Sequence, residues 1–120
     1  MAKTSTAITI YHNPNCSTSR KVLGMIREAG LEPTVVEYMK AGWTRAQIEE
    51  LLKAMKVGPQ AILRVRGTPA EELGLTKPGV TDDAILSAMV AHPALVERPI
   101  VASPKGAVLC RPVERVQALL

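Results

Sequence analysis

Ala7-Ile8-Thr9-Ile10-Tyr11-His12-Asn13-Pro14-Asn15-Cys16-Ser17-Thr18-Ser19-Arg20 passes through three kinds of local pattern. Ala7 to Ile10 is apolar and β-branched, as suits a strand. Tyr11 to Arg20 is polar, with Pro14 stiffening the approach to Cys16. Beyond it, Val22, Leu23, Met25, Ile26 and Ala29 recur at the spacing of one helix face. Cys16 therefore stands where a strand-to-loop passage becomes a helix N-terminus. Exposed amides and the positive end of the helix dipole stabilise a thiolate at such a place. A cysteine can equally be a small buried apolar residue. Here Asn, Ser, Thr and Arg neighbours supply the polar, basic surroundings that lower a thiol pKa and favour reactivity.

Downstream, Gly30 ends the helix and Thr34-Val35-Val36-Glu37-Tyr38 reads as a second strand, giving a β-α-β unit whose strands are adjacent and parallel. Thr44 and Gln47 have capping-box spacing for a helix with Ile48, Leu51, Leu52 and Met55 on its apolar face. Gly58-Pro59 breaks that helix, and Ala61-Ile62-Leu63 begins a short helical segment. Thr68-Pro69-Ala70-Glu71-Glu72-Leu73 suggests another, with Thr68 as its cap. Thr81-Asp82-Asp83 opens a longer helix using Ala84, Ile85, Ala88 and Met89. Pro99-Ile100-Val101-Ala102 and Ala107-Val108-Leu109-Cys110 flank Ser103-Pro104-Lys105-Gly106 and make an antiparallel hairpin. Pro112 opens a final helix. The predicted class is α/β: β-α-β, a helical insertion, then β-β-α, a mixed four-stranded sheet flanked by helices. This order resembles the thioredoxin fold, which places a cis-proline before its third strand. The resemblance implies a cis bond at Arg98-Pro99, although a proline entering a strand is ordinarily trans.

A chain of 120 residues fits a single domain spanning 1–120. With 2 Tyr, 1 Trp and no Phe, the core must be aliphatic. The net charge of +4 comes without a dense Lys/Arg run, and the few aromatics offer little for stacking on bases, so small anions fit better than nucleic acid. No apolar run is long enough to span a membrane. Met1-Ala2-Lys3-Thr4-Ser5-Thr6 lacks the apolar core of a secretory signal. Cys16 and Cys110 form no C-x-x-C pair and no zinc pattern, and unpaired thiols fit a cytoplasmic protein.

Three arginines stand at the edges of apolar elements: Ile62-Leu63-Arg64, Arg98-Pro99-Ile100-Val101 and Leu109-Cys110-Arg111-Pro112. Taken singly, such a residue is ordinarily a solvated salt-bridge partner. Together, planar guanidinium forks beside a thiolate suit a tetrahedral oxyanion. Arg66 competes with Arg64 for one such place.

The chain strongly resembles the glutaredoxin-coupled arsenate reductase family over nearly its whole length. The anchors are Ile10-Tyr11-His12-Asn13-Pro14 with Cys16 and Ser19-Arg20, Glu71-Glu72-Leu73-Gly74-Leu75, His92-Pro93, Arg98-Pro99-Ile100-Val101 and Cys110-Arg111-Pro112. By position, the resemblance makes Cys16 the nucleophile, Arg64, Arg98 and Arg111 the substrate-binding arginines, and His12 the histidine that helps keep the sulfur ionised. It favours Arg64 over Arg66. Ser17 stands where well-studied members often carry glycine, and those members commonly continue well past the last helix. The implied reaction reduces arsenate with glutathione as reductant and glutaredoxin as partner, needs no metal or bound cofactor, and is carried out by a monomer.

Several residues allow two readings. His12 can hold Cys16 as a thiolate or be satisfied by a backbone group. Arg20 can line the site or pair with a surface acid. Cys110 reads as structurally buried, and His92 as the end of a helix. Relatives of the same fold also include transcriptional regulators that bind RNA polymerase and sense redox state through a Cys-x-x-Cys switch. Ser19 fills the position of the second cysteine and argues against that switch. A third class is a thiol-transfer enzyme acting on another oxyanion or a glutathionylated protein.

Overall fold

The computed structural model describes residues 8–120, so Ala7 and the Met1–Thr6 segment lie outside the described residues. The chain forms two compact units. One comprises the chain up to Ala41 together with Arg98–Leu120, and the other is Gly42–Glu97.

The first unit holds the sheet. Strand β1 (Thr9–His12) leads into helix α1 (Ser17–Glu28) and returns as β2 (Thr34–Glu37). Gly30, with φ of 86°, turns the chain out of α1 in a conformation that glycine adopts at no steric cost. The hairpin β3 (Ile100–Ser103) and β4 (Gly106–Leu109) completes four strands in the order β2-β1-β3-β4. β1 pairs parallel with β2 and antiparallel with β3, as Thr9↔Thr34 and Thr9↔Ala102 show.

Alternation along β1 buries Ile10 and His12 on one face. Ser19, Val22 and Ile26 form the buried stripe of α1, at the spacing a single helix face requires. Ile8, Ile10, Val22, Ile26, Val101, Cys110, Val116 and Leu119 make one apolar cluster. Burial of each large aliphatic side chain contributes roughly 1.5–3 kcal/mol.

In the second unit, Thr44 and Gln47 cap α3 (Arg45–Met55) reciprocally: the Gln47 amide donates to Thr44 Oγ1 at 3.1 Å and the Thr44 amide to Gln47 Oε1 at 2.9 Å. Thr81 caps α4 (Asp82–Ala91) by accepting from the Ala84 amide at 3.1 Å.

Several local expectations are corrected. β2 ends at Glu37, and Tyr38, fully buried, opens the single-turn helix α2 (Tyr38–Ala41). The segment after Gly58 is a 3₁₀ turn over Pro59–Ile62, not a helix running through Leu63. Leu63 instead bridges Val96, and the flanking backbone bonds join Arg64 N–H to Leu95 and Glu97 N–H to Ile62. Thr68–Leu73 is a chain of turns. Its amide bonds reach back four residues (Leu73 to Pro69), three (Gly74 to Glu71) and five (Leu75 to Ala70), so no regular helical repeat is established. Gly67 and Gly74, at φ of 75° and 76°, bound that stretch. On α4, Leu86 is buried while Ala84 is exposed. The final helix is 3₁₀ over Val113–Leu119, with Pro112 as its N-cap residue.

Candidate active site

Cys16 is the N-cap residue of α1, with extended backbone angles of φ −101° and ψ 121°. Its amide donates to the Asn13 carbonyl at 3.0 Å, and its carbonyl accepts the first helical bond from the Arg20 amide at 3.0 Å. Asn13 Oδ1 accepts from the Asn15 amide at 3.0 Å, and Arg20 Nη1 donates to the Pro14 carbonyl at 2.8 Å. Sequence left Arg20 between lining the site and pairing with an acid; it braces the cysteine loop.

Burial pushes the Cys16 thiol pKa up. The Ser19 amide, the Arg98 guanidinium through a hydrogen bond and its charge, and the Thr18 amide act the other way, and the net pKa lies below the ordinary cysteine value. The first-turn amides of α1 are groups that an α-helix cannot satisfy internally, which is why they are open to a thiolate.

Two arginines meet the sulfur. Arg111 Nη2 lies 3.7 Å from Cys16 Sγ, while Arg111 Nε donates to the Arg98 carbonyl at 2.8 Å. Arg98 Nε is buried and has no hydrogen-bond partner among the described residues. Both arginines precede prolines, and both Arg98-Pro99 and Arg111-Pro112 peptides are cis, the first as the fold resemblance implied. Arg64 belongs to the Gly42–Glu97 unit, where its Nη1 pairs with Glu97 Oε1 at 2.9 Å. Arg66 is exposed.

The partner of His12 is a side chain, not the backbone group that was one of its two readings. Its Nδ1 is 2.6 Å from Ser19 Oγ, a side-chain hydroxyl. Burial lowers its pKa; Glu37 opposes this, and Arg27 and Arg20 add to it, which favours the neutral imidazole. Cys110 is fully buried in the apolar cluster, and burial pushes its thiol pKa up to about 12 despite the nearby charge of Arg115. Cys16 and Cys110 are both free thiols. No group of three or more His, Cys, Asp or Glu placed to hold a metal ion occurs among the described residues. Ser19 was missed as a site residue. Its signal was its spacing, since it lies three residues before Val22 and seven before Ile26, on the buried stripe.

A thioredoxin-like sheet that presents one accessible cysteine at a helix N-terminus, against two arginines, is the layout of an oxyanion-directed thiol oxidoreductase. Comparison with known proteins narrows this. Residues 11–119 match the ArsC family, and the chain belongs to it. It is 52% identical over 117 residues to arsenate reductase ArsI1 of Synechocystis sp., covering 98% of this chain and 81% of that protein. Against arsenate reductase of Escherichia coli K12 it is 47% identical over 113 residues, covering 94% and 80%. Among solved structures, an arsenate reductase from Vibrio cholerae superposes with a TM-score of 0.89 at 34% identity, covering 94% of this chain and 97% of that one.

Proposed function

We propose that this protein is an arsenate reductase in which Cys16 is the nucleophile, with glutathione as reductant and glutaredoxin as the partner that regenerates it. One observation carries the reading: Cys16 Sγ is held at the α1 N-terminus with Arg111 Nη2 at 3.7 Å, and Arg98 lowers its pKa. Those cations favour the thiolate and also neutralise an approaching oxyanion, so one set of groups serves nucleophile and substrate.

In the proposed sequence the Cys16 thiolate attacks arsenic(V), and a hydroxide leaves as a sulfur–arsenic bond forms. Glutathione attacks next. The sulfurs of Cys16 and glutathione supply the two electrons that convert As(V) to As(III), arsenite departs, and the two sulfurs are left as a mixed disulfide. A glutaredoxin thiol attacks the glutathione sulfur of that disulfide and returns Cys16 as thiolate. On the family motif, Arg64 is the third substrate-binding arginine and His12 supports the nucleophile. The reaction is assigned to the cytoplasm, where these thiols are kept reduced, and to a monomer. No helix among the described residues is long and apolar enough to cross a membrane.

Arsenate-dependent NADPH oxidation, coupled through glutathione reductase, glutathione and glutaredoxin, tests the assignment. Wild-type protein is expected to turn over and Cys16→Ser to be inactive. Turnover by Cys16→Ser at the wild-type rate would refute the role of Cys16.

A further inference from the structure

Ser19 takes no part in that chemistry, yet it and His12 are the two buried polar side chains among the described residues. A serine hydroxyl has one proton to donate and two lone pairs to accept with. The Asn13 amide donates to Ser19 Oγ at 3.1 Å. Ser19 Oγ also lies 2.6 Å from His12 Nδ1, and the imidazole tautomer sets which of the two donates. The bonds that Ser19 Oγ makes with Asn13 N–H and His12 Nδ1 therefore tie three places to one oxygen: the end of β1, the first residue of the cysteine loop and the first turn of α1. The fold sets this up, because His12 shares a strand face with Ile10 while Ser19 shares a helix face with Val22 and Ile26.

The tie matters because the first turn of α1 lacks the usual anchor. Cys16, as N-cap, makes no side-chain capping bond. With α1 starting at Ser17, Thr18 and Ser19 are its second and third residues, whose amides are the ones an N-cap side chain faces, and both lower the Cys16 pKa. First turns fray when their amides and side chains are unrestrained.

Resting on the reading of Cys16 as nucleophile, we propose that Ser19 is a positioning residue: its hydroxyl, anchored on His12 and Asn13, keeps the Ser19 and Thr18 amides aimed at the Cys16 sulfur. His12 then serves the nucleophile through Ser19, by holding that hydroxyl in place.

The test is the rate of Cys16 alkylation by iodoacetamide across pH, resolved by peptide mass spectrometry, in wild type, Ser19→Ala and Ser19→Thr. With one orienting hydrogen bond lost, Ser19→Ala is expected to react about fivefold more slowly at pH 7, equivalent to about 1 kcal/mol. It recovers the wild-type rate at alkaline pH, where the thiol ionises unaided. Ser19→Thr keeps the hydroxyl and the wild-type profile. Arsenate kcat/KM at pH 7 falls in step with the alkylation rate.

A Ser19→Ala profile superimposed on wild type, even with a lower melting temperature, overturns the proposal by reducing Ser19 to a helix anchor. Should Ser19→Ala not fold, His12→Asn, which keeps a hydrogen-bonding group near the Nδ1 position, and His12→Ala, which removes it, give the same comparison. A slowed Ala variant beside a wild-type-like Asn variant supports the proposal, and identical profiles overturn it. Alkylation needs no arsenate, so this result stands apart from the Cys16→Ser test of the nucleophile.

Discussion

Replacing Arg98 with alanine removes a guanidinium that hydrogen-bonds the Cys16 sulfur and stabilises its charge. It also removes the buried Nε, which has no hydrogen-bond partner among the described residues. A hydrogen bond to a charged group contributes about 1.5–3 kcal/mol net, so one to the thiolate and one to arsenate together amount to about 3–6 kcal/mol. The side chain is only half-buried, and solvent replaces part of what is lost. The expected cost is therefore at the low end, about 3 kcal/mol, or about a hundredfold in kcat/KM. Arg98→Lys keeps the charge without the planar fork and is expected to lose about tenfold. Folding should change little, because the Arg98 carbonyl that accepts from Arg111 Nε at 2.8 Å is retained. The coupled NADPH assay reads the turnover, iodoacetamide alkylation at pH 7 reads the thiolate, and a thermal melt checks the fold. If Arg98→Ala keeps kcat/KM within about threefold of wild type and alkylates at the same rate, Arg98 is a bystander at the site.

Cys110→Ala should retain arsenate reduction in the coupled assay, since in the proposed reaction external thiols resolve the intermediate. An internal Cys16–Cys110 disulfide trapped during turnover, with loss of activity in the variant, would contradict this. Cys110 also carries a pH dependence: its thiol ionises near 8.5 in the unfolded chain but only at about 12 when folded. Between those values the unfolded state binds fewer protons, so Cys110 makes urea stability fall as pH rises above about 8.5, and Cys110→Ala should flatten that decline. Away from the site, Thr44→Ala breaks the capping box of α3. It is expected to cost about 1 kcal/mol of unfolding free energy in urea, and an unchanged midpoint would show that the cap contributes nothing.

Elements set by neighbouring residues were legible in advance. The Thr44 and Thr81 caps, the stop at Gly30 and the Ser103–Gly106 hairpin each depend on side chains within about four positions of the backbone groups they satisfy. Thr68–Leu73 shows where this ends. Its helix-start residues are genuine local signals: Thr68 Oγ1 does accept from the Ala70 amide, at 3.3 Å. The same hydroxyl also donates to the Arg64 carbonyl at 2.8 Å, and glycines at positive φ bound the stretch, so turns replace the helix.

For the site, the run from Tyr11 to Arg20 was enough to place Cys16 at a helix N-terminus and mark it as the residue to watch, and the ordered motifs pointed to Arg64, Arg98 and Arg111. Tertiary structure decided which groups touch. Arg111 reaches Cys16 across 95 positions of sequence, and Arg64 reaches Glu97 across 33. His12 found a hydroxyl, and Cys110 lost all contact with solvent. Helix caps, turns and periodic faces are written by residues a few positions apart, because the interactions that stabilise them are that short. The partner of an arginine or a buried imidazole depends on strand register and on how a helix stripe seats against a sheet, and no local pattern specifies either.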